Sequence, residues 1–145
     1  MSRDFMMMLP AGTVLFHGTD NDDFVEADDG LTGPAWLSRS RSVAERFARR
    51  SGGWGGRQRV VEYVLSSSVE LCLIVDARGL QALARKHDID LTGVEGMRES
   101  VERAGLPGWI IPNNYPDGDD VLIVSTDVLD FVQTHDVSPV HSEEK

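Results

Sequence analysis

The sequence predicts a single domain of the α+β class. Strand-like segments rich in β-branched and aromatic residues lie at both ends of the chain, and helical patterns lie between them. This order favours α+β over a doubly wound parallel sheet, in which strands and helices alternate throughout. A chain of 145 residues is long enough to bury one core. We expect the domain to span residues 1–137, with residues 138–145 as a polar, loosely ordered tail.

The first predicted elements are two short strands and a helix. Residues 12–18 predict a strand that ends at a glycine, and residues 34–38 predict a second strand. Ser42 and Glu45 form the S-x-x-E pattern of a capping box, which predicts a helix that continues to about Arg50. The 3.6-residue period gives this helix one inward side, formed by Val43, Ala44, Phe47 and Ala48.

Two segments are predicted as loops and two more as strands. Residues 19–30 are acidic and rich in turn formers, and the glycine-rich residues 51–56 predict a mobile loop, with a lid over a ligand as the alternative. Residues 57–67 and 69–75 predict strands, which we expect to pair in the centre of the domain. Cys72 is expected to be a buried, unreactive thiol.

Two amphipathic helices are predicted to follow. Asp76 is placed to cap the second helix, and Thr92 with Glu95 is placed to cap the third, which Gly105 and Pro107 end. Their inward sides consist of apolar residues: Leu80, Leu83 and Ala84 on the second helix and Met97, Val101 and Ala104 on the third.

The C-terminal part of the domain is predicted to consist of short strands joined by turns. Residues 108–112 predict a strand, residues 113–120 a turn, and residues 121–124 a further strand. Residues 127–132 form a last apolar-polar stretch.

The composition disfavours several classes of function. A net charge of −10 and a pI near 4.7 argue against nucleic acid as the main partner, because such binding depends on clustered Lys and Arg. No apolar run approaches the roughly 20 residues that cross a bilayer, and the N-terminal segment does not have the pattern of a secretory signal. We therefore expect a cytoplasmic protein that does not contact a membrane.

The usual metal and nucleotide motifs are missing from the sequence. The four histidines are widely separated, and Cys72 has no second thiol at ligand spacing, so we expect no metal. The chain contains no G-x-G-x-x-G after a strand, no Walker A sequence and no G-x-S-x-G nucleophile elbow.

Three segments nevertheless resemble the motifs of a known family. LFHGT at 15–19, AWLS at 35–38 with the helix VAERFA at 43–48, and the acidic turn that runs into 119–131 occur in this order. They are similar to the His-Tyr-Glu motifs of the diphtheria-toxin-like and PARP-like ADP-ribosyltransferases. The resemblance covers nearly the whole chain, and it implies split, mostly antiparallel β-sheets with flanking helices.

The resemblance implies that NAD is bound as a substrate beside the first two motifs. His17 would donate a hydrogen bond to the ribose, and the backbone of Gly18 would hold the nicotinamide carboxamide. Trp36 and Phe47, eleven residues apart, would enclose the flat nicotinamide between two rings. The remaining motif residues expected at the NAD site are Thr19, Leu37 and Ser38.

The chain departs from the family pattern at two positions. Trp36 replaces the tyrosine of the second motif, and no glutamate begins the late strand. Asp120 takes the place of that glutamate and is the first candidate for the catalytic carboxylate, followed by Asp117, with Asp119 close by. A carboxylate there would stabilise the positive charge that develops on the ribose as the glycosidic bond breaks.

The predicted function is therefore an NAD-dependent ADP-ribosyltransferase. It would cleave the nicotinamide-ribose bond and transfer ADP-ribose to a macromolecule, with a protein as the expected acceptor. By analogy with small members of the family, it would be an effector, toxin or inhibitor of bacterial or phage origin that acts in the cytoplasm, including that of a host cell. The alternatives are an NAD glycohydrolase, a non-catalytic module that blocks a protein partner with its acidic surface and, last, an RNA 2′-phosphotransferase.

Each candidate residue also has a purely structural interpretation. His17 could bind the backbone at a strand end, Trp36 and Phe47 could belong to the core, and the late aspartates could be ordinary turn residues. Ser38 could accept a bond from a ligand or end its strand.

Overall fold

The structure is a computed structural model, and it describes residues 5–19, 34–50 and 58–137. Within these ranges the chain forms, in order, β1 (Met6–Leu9), β2 (Val14–Thr19), β3 (Ala35–Leu37), α1 (Arg41–Arg50), β4 (Arg59–Leu65), β5 (Val69–Leu73), α2 (Ala77–His87), α3 (Val94–Arg103), β6 (Gly108–Tyr115), β7 (Gly118–Ile123), a 3-10 turn (Thr126–Val128) and β8 (Leu129–Asp136).

The strands form two sheets. One has five strands in the order β1-β5-β6-β7-β3, and the other has three in the order β2-β4-β8. All neighbours are antiparallel except β5 and β6, which are joined through α2 and α3. The predicted α+β class is therefore confirmed, and the sheets are split and mostly antiparallel as expected.

The main core lies where the two sheets face each other. Leu15 and Tyr63 enter it from the three-stranded sheet, and Leu37, Ile110 and Val121 enter it from the five-stranded sheet. All five are almost completely buried. Because side chains alternate along a strand, the neighbouring residues of each strand point away from this core and require a second layer.

Helices provide that second layer on both outer faces. α1 packs Ala44 and Ala48 against Val60 of the three-stranded sheet. On the five-stranded sheet the predicted inward sides of α2 and α3 join one apolar cluster, represented by Leu83 and Val101. The predicted amphipathic sides of all three helices are thus confirmed.

Two of the three predicted helix caps are wrong. The residue before α1 is Ser40, and its Oγ accepts a bond from the Val43 N–H at 3.4 Å, whereas Ser42 donates to Asp117 at 2.7 Å. α3 begins after Gly93, which provides no side-chain bond. The Asp76 cap of α2 is confirmed, because its carboxylate accepts from the Gly79 N–H at 2.9 Å.

Thr92, the other half of the wrong capping box, bonds to an earlier residue. Its hydroxyl and its backbone N–H both donate to the Asp90 carboxylate, at 2.5 and 2.9 Å. A local acceptor two residues away thus competes with the helix N-terminus for the Thr92 side chain.

The predicted pairing of segments 57–67 and 69–75 is also wrong. β4 lies between β2 and β8, whereas β5 lies between β1 and β6 in the other sheet. The link at 66–68 passes from one sheet to the other, so the apolar residues of β4 and β5 enter the main core from opposite sides. This arrangement needs β1 as a partner for β5, and the sequence did not predict a strand in that Met-rich segment.

The predicted turn at 113–120 is shorter in the structure. β6 continues to Tyr115 and β7 begins at Gly118, so Pro116 and Asp117 alone form the connection. Asp119 and Asp120 therefore belong to a strand, with side chains on opposite faces.

Some predicted segments cannot be placed. Residues 20–30, the glycine-rich loop 51–56 and the tail 138–145 lie outside the described residues. None of the helices in the described ranges combines the length and the apolar character needed to cross a membrane.

Gly18 is expected to be essential for packing of α1 on β2. A Cβ at this position would lie 1.9 Å from the carbonyl oxygen of Ala44 and 2.7 Å from the backbone N of Ala48. Gly18→Ala should therefore lower the free energy of unfolding by about 3 kcal/mol, as expected for an overpacked contact, measured by urea denaturation.

The matched control is Gly79→Ala in α2. A Cβ there has ordinary contacts, at 3.5 and 3.7 Å, and alanine favours a helix over glycine, so stability should stay the same or rise by up to about 1 kcal/mol. Equal effects of the two substitutions would contradict the contact with α1.

Candidate active site

His17 lies near the end of β2, where β2 meets β3. Its Nδ1 lies 2.9 Å from the carbonyl oxygen of Trp36. A carbonyl can only accept, so Nδ1 carries the hydrogen and Nε2 has a lone pair in the neutral ring. Burial, which disfavours the charged imidazolium, lowers the pKa of His17, and the positive charge of Arg98 lowers it further against the opposing effect of the Trp36 carbonyl. The ring is therefore neutral at physiological pH.

Trp36 occupies the middle of β3 and faces the helices. It pairs with Leu122 of β7, and its half-buried ring packs against the cluster beneath α2 and α3. Paired residues of antiparallel strands share a face, so Trp36 and Leu122 lie on the same side of the sheet. Alternation along β7 places Asp120 on this side as well. Trp36 and Asp120 are thus diagonal neighbours, about 7–8 Å apart in a regular sheet.

Asp119 points to the other side and joins β7 to the end of β3. It is buried, and its carboxylate accepts bonds from the Ser38 hydroxyl at 2.8 Å and from the Arg39 backbone N–H at 2.9 Å. The Arg39 Nε donates to the second oxygen at 2.5 Å. Ser38 is buried too, and its Oγ accepts from the backbone N–H of Ser40. Both Ser38 and Asp119 are thus engaged in holding the strands together.

Asp117 lies on the surface and binds α1. It accepts bonds from the Ser42 hydroxyl at 2.7 Å and from Arg46 at 2.8 Å. The hydrogen bond from Ser42 is the main cause of the lowered pKa of this carboxyl, and Arg46 lowers the pKa further. Asp117 thus ties the β6–β7 turn to the helix that carries Phe47.

Asp120 differs from Asp117 and Asp119 because one of its carboxylate oxygens is buried and receives no hydrogen bond from the described residues. Among the described residues its Oδ1 has no hydrogen-bond partner. Burial, together with the nearby charge of Asp119, raises the pKa of Asp120 to about 6. A carboxylate in this position is ionised above that pH and is poorly solvated, so its charge acts strongly on any cation that comes close.

The two aromatic residues expected to form a sandwich have different neighbours. Phe47 of α1 packs edge-on against Tyr115, with ring centroids 5.6 Å apart, and the guanidinium of Arg46 lies 5.5 Å from the centre of the Tyr115 ring. Trp36 packs instead against the cluster beneath α2 and α3. Tyr115 is an aromatic residue that sequence reasoning missed, because it stands in a segment predicted as a turn.

The remaining predicted site residues face the protein interior. Leu37 belongs to the main core, Gly18 contacts α1, and Thr19 is buried opposite Arg59 of β4. Leu37 is a core residue and Gly18 has no side chain, so any contact of these two with a polar ligand group would come from the backbone.

Arg98 is a second residue that the sequence did not single out. It lies on α3 and is half-buried, close enough to His17 to affect the charge of the ring. The preceding residue, Met97, packs against the same cluster as Trp36. No local pattern distinguishes Arg98 from other helix arginines, since only the packing of α3 brings it near β2.

The buried carboxyl of Asp120 should reduce stability at neutral pH. Its pKa is raised from 3.8 to about 6, so the folded protein binds the proton more tightly than the unfolded chain, and stability falls as the pH rises through this window. Asp120→Asn should raise the free energy of unfolding by up to about 3 kcal/mol above about pH 6, and this gain should shrink towards about pH 4. Denaturant titrations of both proteins across this range measure it; a gain that does not depend on pH would contradict the raised pKa.

Comparisons with known proteins give one informative likeness. No family model matches the chain, and no match was found among curated proteins. A chain of the crystal structure of the M. tuberculosis MbcT–MbcA toxin–antitoxin complex is similar, with a TM-score of 0.53 over 94% of this chain and 90% of that chain, at 12% identity. At this level of identity the likeness shows a shared fold, and the protein therefore has the fold of a component of a toxin–antitoxin complex.

Proposed function

We propose that this protein is an NAD-dependent ADP-ribosyltransferase that breaks the nicotinamide-ribose bond and passes ADP-ribose to a protein. The observation that carries the proposal is Asp120, a carboxylate with a buried oxygen that lacks a donor. It lies on the face of Trp36, whose carbonyl binds His17. They supply an imidazole, an aromatic ring and a carboxylate, as the three motifs do, with Trp36 in place of tyrosine and Asp120 in place of glutamate.

Asp120 supplies the negative charge that the reaction needs. When the bond between C1′ and the pyridinium nitrogen breaks, its electron pair leaves with nicotinamide, and positive charge develops on the ribose. A poorly solvated carboxylate stabilises this charge more strongly than a carboxylate already neutralised by donors. Asp119 and Asp117 are both bound by arginine and serine, so Asp120 is the best of the three candidates.

Asp120 can also accept the proton of the incoming group. The acceptor attacks C1′ and loses a proton, which a carboxylate with a pKa of about 6 can take up near neutral pH. With water in place of the protein acceptor, the same steps give an NAD glycohydrolase.

In this proposal His17 binds a ribose hydroxyl of NAD, and Arg98 binds its diphosphate. Because Nδ1–H donates to the Trp36 carbonyl, a neutral His17 would accept a hydrogen bond from a ribose hydroxyl at Nε2, and the donation to the ribose expected from the sequence is wrong. NAD also carries a negatively charged diphosphate, and Arg98, whose charge lowers the pKa of His17, is the cation assigned to bind it in an otherwise acidic protein.

The half-buried ring of Trp36, which lies on the face of Asp120, is assigned to the nicotinamide. Phe47 packs edge-on against Tyr115 instead, so the second ring of the expected sandwich is left out of this proposal.

The proposed setting is that of an effector or toxin. The shared fold with a component of a toxin–antitoxin complex supports this setting. It also supports a protein partner.

Asp120→Ala should lower NAD turnover by about a hundredfold or more, as expected when one charge-stabilising group is removed. The assay incubates the purified protein with labelled NAD and a cell lysate and follows nicotinamide release. Asp130→Ala is the matched control, because this exposed aspartate lies on β8 in the other sheet, and its turnover should equal that of the unchanged protein.

The same assay separates the alternative functions. Label on a lysate protein supports transfer, free ADP-ribose alone supports hydrolysis, and no turnover supports a non-catalytic binding module. Loss of activity in Asp117→Ala with full activity in Asp120→Ala would refute the assignment of Asp120.

NAD turnover should also fall at acid pH as Asp120 becomes protonated. Because the carboxylate is the active form and its pKa is about 6, kcat/KM should rise with pH through that value and reach a plateau above it. At about pH 5 it should be about a tenth of the plateau. A profile that is flat from about pH 5 to about pH 7.5 would contradict this role.

A further inference from the structure

A concave site lies at the far end of β7 from Asp120. This groove, of about 420 Å³, lies between the start of β5, the end of α3 and the segment after β7. Apolar side chains form its walls, among them Val69, Leu106, Val124 and Val128. A volume of this size falls within the range of sites that take small ligands or single side chains of a partner.

The charges at this groove are all negative. Among the described residues that line it, Glu70 and Glu102 alone are charged, and both are exposed. Within the described part of the chain neither carboxylate takes part in a salt bridge. The groove therefore combines an apolar interior with an unneutralised acidic rim.

We propose that this groove binds an arginine or lysine side chain of a partner protein. Such a side chain has a methylene stem that can lie along the apolar walls and a cationic end that can reach Glu70 and Glu102. The net charge of −10 attracts a basic protein to the molecule over long range, and the two glutamates add to this attraction at the groove. This long-range attraction acts more strongly on a protein with several positive charges than on a single small amine, so a protein side chain is the occupant.

The groove is separate from the proposed NAD site. Asp120 and Val124 are four residues apart along an extended segment, which corresponds to about 13 Å. Binding in the groove therefore does not require NAD or Asp120, and the two proposals can fail independently.

The test uses a short synthetic peptide of alternating leucine and arginine and a matched peptide with citrulline in place of arginine. Citrulline keeps the shape of the side chain and lacks its charge. Binding is followed by NMR on the ¹⁵N-labelled full chain, with backbone amide shifts of Val69, Leu106 and Val124 as the readout.

The arginine peptide should shift these amides saturably, and the citrulline peptide should bind at least about fivefold more weakly. Glu70→Gln with Glu102→Gln should weaken binding by about tenfold, whereas Glu95→Gln, at the exposed start of the same helix, and Asp120→Asn should have no effect. The proposal is overturned if neither peptide binds, if citrulline binds equally well, if the shifts map elsewhere, or if the double variant binds normally.

Discussion

The arrangement of the candidate site depends on one short contact between the two sheets. Phe16 of β2 and Ser38 just after β3 exchange two backbone hydrogen bonds, at 2.8 and 3.0 Å. This bridge holds β2 against β3, although the two strands belong to different sheets. Next to it His17 bonds to the Trp36 carbonyl. Ser38 continues the chain of contacts to Asp119 on β7. Together with the core between the sheets, this bridge fixes the position of His17 relative to Trp36.

Three aspartates within four positions have three different roles because of strand geometry. Asp117 is in the turn and reaches α1, Asp119 faces inward and meets Arg39, and Asp120 faces the opposite side, where its Oδ1 has no donor within the described residues. The alternation of the strand thus separates two adjacent carboxylates of equal chemistry. The interpretation of the late aspartates as turn residues fits Asp117 alone. Asp119 is a strand residue that binds Ser38 and Arg39, and the interpretation leaves the buried oxygen of Asp120 without an explanation.

The sequence predicted the parts of this protein that depend on local patterns. The strand before His17, the inward side of α1 and the Asp76 cap each follow from neighbouring residues. Sequence reasoning failed where distant partners decide. Ser42 binds Asp117, 75 residues away, and Thr92 binds Asp90, so neither caps a helix. No local pattern tells which sheet β4 or β5 joins, because long-range packing decides it. The position of Arg98 depends on such packing as well.

The pairing of β3 with β7 has a consequence for how the protein is made. Trp36 and its partner Leu122 are far apart in sequence, so the ribosome must complete most of the chain before the two can meet. A nascent or prematurely terminated polypeptide that ends before β7 contains His17 and Trp36 but not Asp120. His17, Trp36 and Asp120 can therefore come together only in molecules whose synthesis has passed β7.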